Sequence, residues 1–202
     1  MLYELTTISS APLTQTAVAV AARDWVLDGD GRLLGAWRTE IGELFQVKLL
    51  RGFDTAEALE RERIRALMSS HPFSIKDPSS RLSMERYAGF PFLPDVGPLA
   101  LGGFYEFRTY HLKPGGLPPT LAGWEKAIGP AHDYTQHLVI NMYALDGPPR
   151  ITHIWGFSSL EERSALRERH YAGGLWPPKG GPEQIASATS TICIPEQYSP
   201  LH

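Results

Sequence analysis

In the run Ile151-Thr152-His153-Ile154-Trp155-Gly156 a histidine and a tryptophan stand two residues apart. In Phe104-Tyr105-Glu106-Phe107-Arg108-Thr109-Tyr110 a glutamate, an arginine and a tyrosine are spaced in the same way. Both runs alternate and are rich in aromatic and β-branched residues, as strands are. Side chains two apart on a strand share a face, so each run gathers its polar members on one side. A third run, His137–Leu145, offers either Asn141 and Tyr143 or Met142 and Ala144 by the same rule, and the former pair is preferred. An imidazole titrates near neutrality and can move a proton. A guanidinium and a phenol can orient an oxygen, and an indole can stack on a ring. His153 and Arg108 are therefore the candidate catalytic residues. Glu106, Tyr110, Asn141, Tyr143 and Trp155 are candidates for holding a substrate. Leu175-Trp176-Pro177-Pro178-Lys179 is a loop stiffened by proline. It adds Trp176, as a wall or plug, and Lys179, as a cation able to reach an anionic ligand. The alternative is structural: Glu106 and Arg108 as an ion pair, and His153 as a satisfied core histidine.

Other chemistries find little support. The single cysteine, Cys193, lies in the strand-like Ala188-Thr189-Ser190-Thr191-Ile192-Cys193 and reads as a buried residue rather than a reactive thiol. His132 and His137 are five apart, off the i, i+4 spacing of a helical metal site, and no metal is expected. No nucleotide-binding fingerprint, P-loop or nucleophile elbow is present. No cofactor is expected, with haem on a single histidine as the one option kept open. A net charge of −3 gives no reason to expect nucleic acid. No apolar run reaches the length of a membrane span, and no secretory signal is read, so a cytoplasmic location is expected.

The elements that must position these residues occur twice. Tyr3-Glu4-Leu5 matches Tyr105-Glu106-Phe107, and Val47–Asp54 matches Ile151–Ser158. Each of the latter runs ends in Gly-Phe before a capping box, with caps expected at Asp54 and Ser158. Each half reads β-α-β-β-α-β, the split βαβ unit of ferredoxin-like folds. The expected fold is α+β: two tandem ferredoxin-like domains, residues 1–89 and 104–202, joined by a Pro/Gly-rich linker, 90–103, and forming a pseudo-dimeric α+β barrel. A cavity is expected between the two sheets. The more apolar Tyr105, Phe107 and Thr109 are assigned to the helix-covered side, and Glu106, Arg108 and Tyr110 to the cavity. The repeated glutamate, Glu4 and Glu106, is expected to help close the barrel.

Tyr105-Glu106-Phe107-Arg108-Thr109-Tyr110-His111-Leu112-Lys113-Pro114-Gly115-Gly116-Leu117, the stretch Asn141–Phe157 with Ser158–Arg167, and Gly173–Lys179 resemble the NIPSNAP family of the dimeric α+β barrel group. The resemblance covers the second half, and the first half looks like a diverged copy. It implies the ferredoxin-like fold and association through sheets. Relatives in the wider group include cofactor-free monooxygenases, haem-degrading enzymes, isomerases and cyclases. The expectation is therefore a small-molecule pocket, serving a cofactor-independent enzyme that acts on an aromatic or polyketide-like substrate. The alternative is a non-catalytic binding or scaffold protein. The expected partner is a small organic ligand, and the chain is expected to be a monomeric pseudo-dimer or a homodimer.

Overall fold

Alternating apolar runs punctuated by Gly, Pro and Asp turns become eight strands. The computed structural model describes all 202 residues. In the first half lie β1 (Leu2–Ser9), α1 (Gln15–Leu27), β2 (Arg32–Ile41), β3 (Gln46–Phe53), α2 (Ala56–Met68) and β4 (Arg81–Gly89). In the second lie β5 (Phe104–Leu112), α3 (Leu117–Ile128), α4 (His132–Thr135), β6 (Leu138–Ala144), β7 (Arg150–Phe157), α5 (Leu160–Ala172) and β8 (Ile185–Pro195).

The strands close into one antiparallel barrel in the order β1-β3-β2-β8-β5-β7-β6-β4. Within it, β2-β3-β1-β4 and β6-β7-β5-β8 have equivalent connectivity, the ferredoxin-like order in each half. Two seams join the halves. One runs from Trp37↔Pro195 to Ile41↔Ile192 between β2 and β8. The other is Tyr87↔Ala144, Ala88↔Tyr143 and Gly89↔Met142 between β4 and β6. Closure leaves neither half with a free edge strand, the usual route to unwanted pairing.

The barrel interior is packed along much of its length by Tyr3, Leu5, Trp37, Leu50, Tyr105, Phe107, Met142 and Ile154. Trp37 meets Phe107 edge-on at 5.1 Å. The connection 90–103 covers one end of this core. Val96 is buried beside Leu201, and its N–H donates to the Tyr3 hydroxyl at 3.2 Å. Cys193 is buried in the same cluster, where burial pushes its thiol up to about 12.

This packing reverses the expected faces of β5. Tyr105 and Phe107 point into the barrel, while Glu106 and Tyr110 meet the helical layer. The apolar set wins the interior because the apolar side chains of both sheets pack together there. The polar set finds counter-charges on the helices. Glu106 accepts two bonds from Arg163 of α5, at 2.6 and 2.8 Å. Glu4 accepts from Arg51 at 2.6 Å and faces Arg63 of α2 at 3.5 Å. The repeated glutamates therefore tie helices to sheet rather than closing the barrel. The helix caps also fall one residue later than expected: Thr55 and Ser159 accept from the N–H groups of Ala58 and Glu162.

Candidate functional site

On the second sheet the register aligns the chemistry-bearing residues in rows. Arg108, His153 and Asn141 lie side by side across β5, β7 and β6. Glu106 lies beside Trp155, and Ile151 lies between Tyr110 and Tyr143. All seven expected strand residues thus share one face, but it is the face beneath the helices, not the one between the sheets.

Between this face and its cover is a pocket of about 250 Å³. Its floor includes Tyr110, Ile151 and His153. Its walls come from Trp124 of α3, Tyr171 of α5 and the loop Trp176–Pro178. Rings meet edge-on around the imidazole, with Tyr110 at 4.8 Å and Trp124 at 5.1 Å between centroids. Trp176 closes the wall against Trp124 at 4.9 Å. The lining is mostly apolar with few polar groups, the composition of small-molecule sites.

The chemistry of His153 follows from one hydrogen bond. Its Nδ1 lies 2.6 Å from the indole Nε1 of Trp155. An indole N–H only donates, so Nδ1 must accept, and the neutral ring carries its proton on Nε2. That Nε2 is buried with no partner in the protein. Burial, reinforced by the positive charges of Arg108 and Arg167, holds the imidazole pKa well below its usual value. His153 is thus a neutral donor in an electropositive setting. With Nδ1 occupied and Nε2 protonated, it is poorly arranged to accept a proton.

The other expected residues divide. Trp176 and Tyr110 line the pocket with His153. Trp155 does not: it is fully buried, stacks on Tyr134 of α4 at 4.4 Å, and sets the tautomer of its neighbour. Glu106 is withdrawn by Arg163, by Ser190 at 2.6 Å and by Arg108 at 3.4 Å. These cations and hydrogen bonds outweigh burial and lower its carboxyl pKa. Arg108 lies 5.6 Å from the Tyr110 ring centroid and acts on the pocket through its field, being absent from the wall. Asn141 is fully buried, and neither atom of its amide has a partner. Tyr143 packs with the aromatic cluster outside the pocket lining. Lys179 is exposed on a separate surface groove with Lys126, because the loop turns its tip away from the pocket.

Trp124, Tyr171 and Arg167 were not anticipated. Trp124 carried a readable signal, standing four residues after Thr120 on one face of an amphipathic helix, and both are buried. Tyr171 and Arg167 carried none, since α5 reads as a charged surface helix. The first half has no counterpart of this site. The partners across the β1–β3 ladder are Thr6↔Leu49 and Glu4↔Arg51, where the second half has Arg108↔His153 and Glu106↔Trp155. Arg51 is fully buried and bridges Glu4 and Glu62, so a salt-bridge network fills the corresponding layer.

An antiparallel α+β barrel closed within one chain, with an aromatic pocket under the helices of one half, defines the class. The NIPSNAP family model matches residues 105–200. A NIPSNAP family protein of unknown function from Agrobacterium tumefaciens is 34% identical, covering 53% of this chain and 100% of its own, with a TM-score of 0.45. The chain belongs to the NIPSNAP family. Protein NipSnap of Drosophila melanogaster is 21% identical over 192 residues, a match covering 83% of this chain. The chain spans 64% of that relative's length. An anthrone oxidase-like protein has the same fold over nearly the whole chain, with a TM-score of 0.64, 14% identity, and coverage of 98% of this chain and 93% of its own. No helix is long and apolar enough to cross a membrane.

Proposed function

We propose that the pocket over the second sheet binds a small aromatic ketone or phenol and stabilises its anionic form, as the core of a cofactor-independent reaction of the oxygenase, isomerase or cyclase type. The observation that carries this reading is the unpartnered Nε2–H of His153 in an aromatic wall. A donor of this kind suits a carbonyl or phenolate oxygen. The guanidinium groups that oppose an imidazolium there also favour a negative charge on a bound ligand. Trp124, Tyr110 and Trp176 would enclose the rings. At about 250 Å³ the pocket is below the roughly 300–1,000 Å³ common for drug-sized ligands, which suits one or two rings rather than a porphyrin. The two halves are read as diverged copies of one unit, of which only the second keeps the pocket.

The test uses 4-nitrophenol, whose ionisation is read by visible absorbance. Bound to the protein, it should ionise about one pH unit lower, a difference of about 1.4 kcal/mol. His153→Phe should abolish the shift. Binding without any shift, or no binding, would refute the reading. The second reading is a binding protein without turnover, favoured by the engagement of Glu106 and Trp155 in structural contacts. Turnover of an aromatic ketone that is lost in folded His153→Phe would argue against it.

A further inference from the structure

We propose that the open end of the barrel, around Lys48, is a second ligand site, which takes a small monoanionic organic acid through its carboxylate. The barrel core does not fill this end. A cavity of about 540 Å³ remains, lined by Lys48, Thr7, Ser83, Thr189, Thr191 and, on its apolar side, Phe107. The register turns Thr7, Lys48 and Ser83 to the same interior face.

Lys48 has no carboxylate partner. Its ammonium donates to Thr7 Oγ1 at 3.3 Å and lies 5.9 Å from the Phe107 ring centroid. The two acids of the lining are engaged elsewhere, Glu85 with Arg150 at 2.9 Å and Glu43 with Arg81 at 2.8 Å. A half-buried cation with no carboxylate in contact is poorly compensated, and burial lowers the Lys48 pKa accordingly. A carboxylate would supply the missing charge and accept bonds from Lys48 and the rim hydroxyls. Lys48 is the one cation of the lining and can balance a single negative charge, which leaves a monoanion rather than a phosphate dianion as the fitting ligand. Phe107 and Leu5 offer its body an apolar surface. This site lies inside the barrel, on the opposite face of the sheet from His153, and does not depend on the function proposed for the helix-covered pocket.

The experiment is calorimetric titration of the full chain with benzoate and its neutral counterpart benzamide. Benzoate should bind at least about tenfold more tightly than benzamide, a gap of about 1.4 kcal/mol. Lys48→Met should remove that preference, Lys48→Arg should retain part of it, and His153→Phe should leave it intact. Absence of benzoate binding, unchanged affinity in Lys48→Met, or loss in His153→Phe alone would each overturn the proposal. If Lys48→Met does not fold, the rim variant Thr189→Val/Thr191→Val decides. A several-fold loss of benzoate affinity supports the site, and an unchanged affinity overturns it.

Discussion

His153 gains its character from burial, which holds it neutral, and from three neighbours: an indole that fixes its tautomer and two arginines that reinforce the neutral state. His153→Phe keeps an aromatic ring and removes the donor, so the fold should survive. Loss of a donor to a developing oxyanion typically costs about 10²–10³ in rate, and steady-state assay on an aromatic ketone that the wild type turns over would measure it. Trp155→Phe should preserve the stacking on Tyr134 but release the tautomer. Ligand affinity should fall, and stability should fall by about 1–3 kcal/mol, since the buried His153 Nδ1 loses its donor and the smaller ring leaves a void, as paired binding and denaturation curves would reveal. The imidazole also makes a stability prediction. Its folded pKa is depressed, so the folded state binds fewer protons than the unfolded state once pH falls below about 6.5. Its contribution to stability is full above that value and is lost as pH falls, by up to about 1.4 kcal/mol per unit. Urea denaturation at pH 7.5 and 5.5 should show this loss in the wild type and a smaller one in His153→Phe.

At the scale of elements, the glutamates Glu4 and Glu106 pin a helix to each sheet. Arg163→Ala leaves the Glu106 carboxylate buried with Arg108 as its remaining cation and Ser190 as its hydrogen-bond donor, and breaking such a pair costs roughly 3–5 kcal/mol. Chemical denaturation should find a loss near the lower end, since Arg163 is itself partly exposed. The strand boundaries and the grouping of Glu106, Arg108, Tyr110, His153 and Trp155 were legible, because alternation of side chains is a local property of the backbone. The direction of that shared face was not. Alternation says which residues travel together, and only packing says whether a helix or the opposite strands cover them. Tyr105 and Phe107 look equally suited to either side until Trp37, from the other half of the chain, meets both. The engagement of Trp155 by Tyr134 was hidden for the same reason, since α4 is a single short turn with no periodicity to read.

For the molecule as a whole, two seams convert a pair of four-stranded sheets into one closed barrel. Residues 104–202 alone would present β6 and β8 as unpaired edges, along which a second copy can pair. That fragment should therefore sediment as a dimer, whereas a stable monomer would show that the seams matter little. The β-α-β-β-α-β order of each half was readable because it rests on chain order. The contrast between halves was only half visible: Thr6 in place of Arg108 stands in the sequence, but the Arg51–Glu62 network that fills the first half joins residues on different elements.

Ligand recognition in the pocket turns on the neutral, Nε2-protonated state of His153, and nitrogen-15 NMR of histidine-labelled protein reads it directly. The His153→Phe difference assigns its signal among the seven histidines. One ring should stay in the Nε2–H tautomer from pH 5.5 to 8, in contrast to an unperturbed ring titrating near 6.5, and its Nε2–H signal should move when 4-nitrophenol binds. A His153 that titrates normally, or carries its proton on Nδ1, would overturn the role proposed for it.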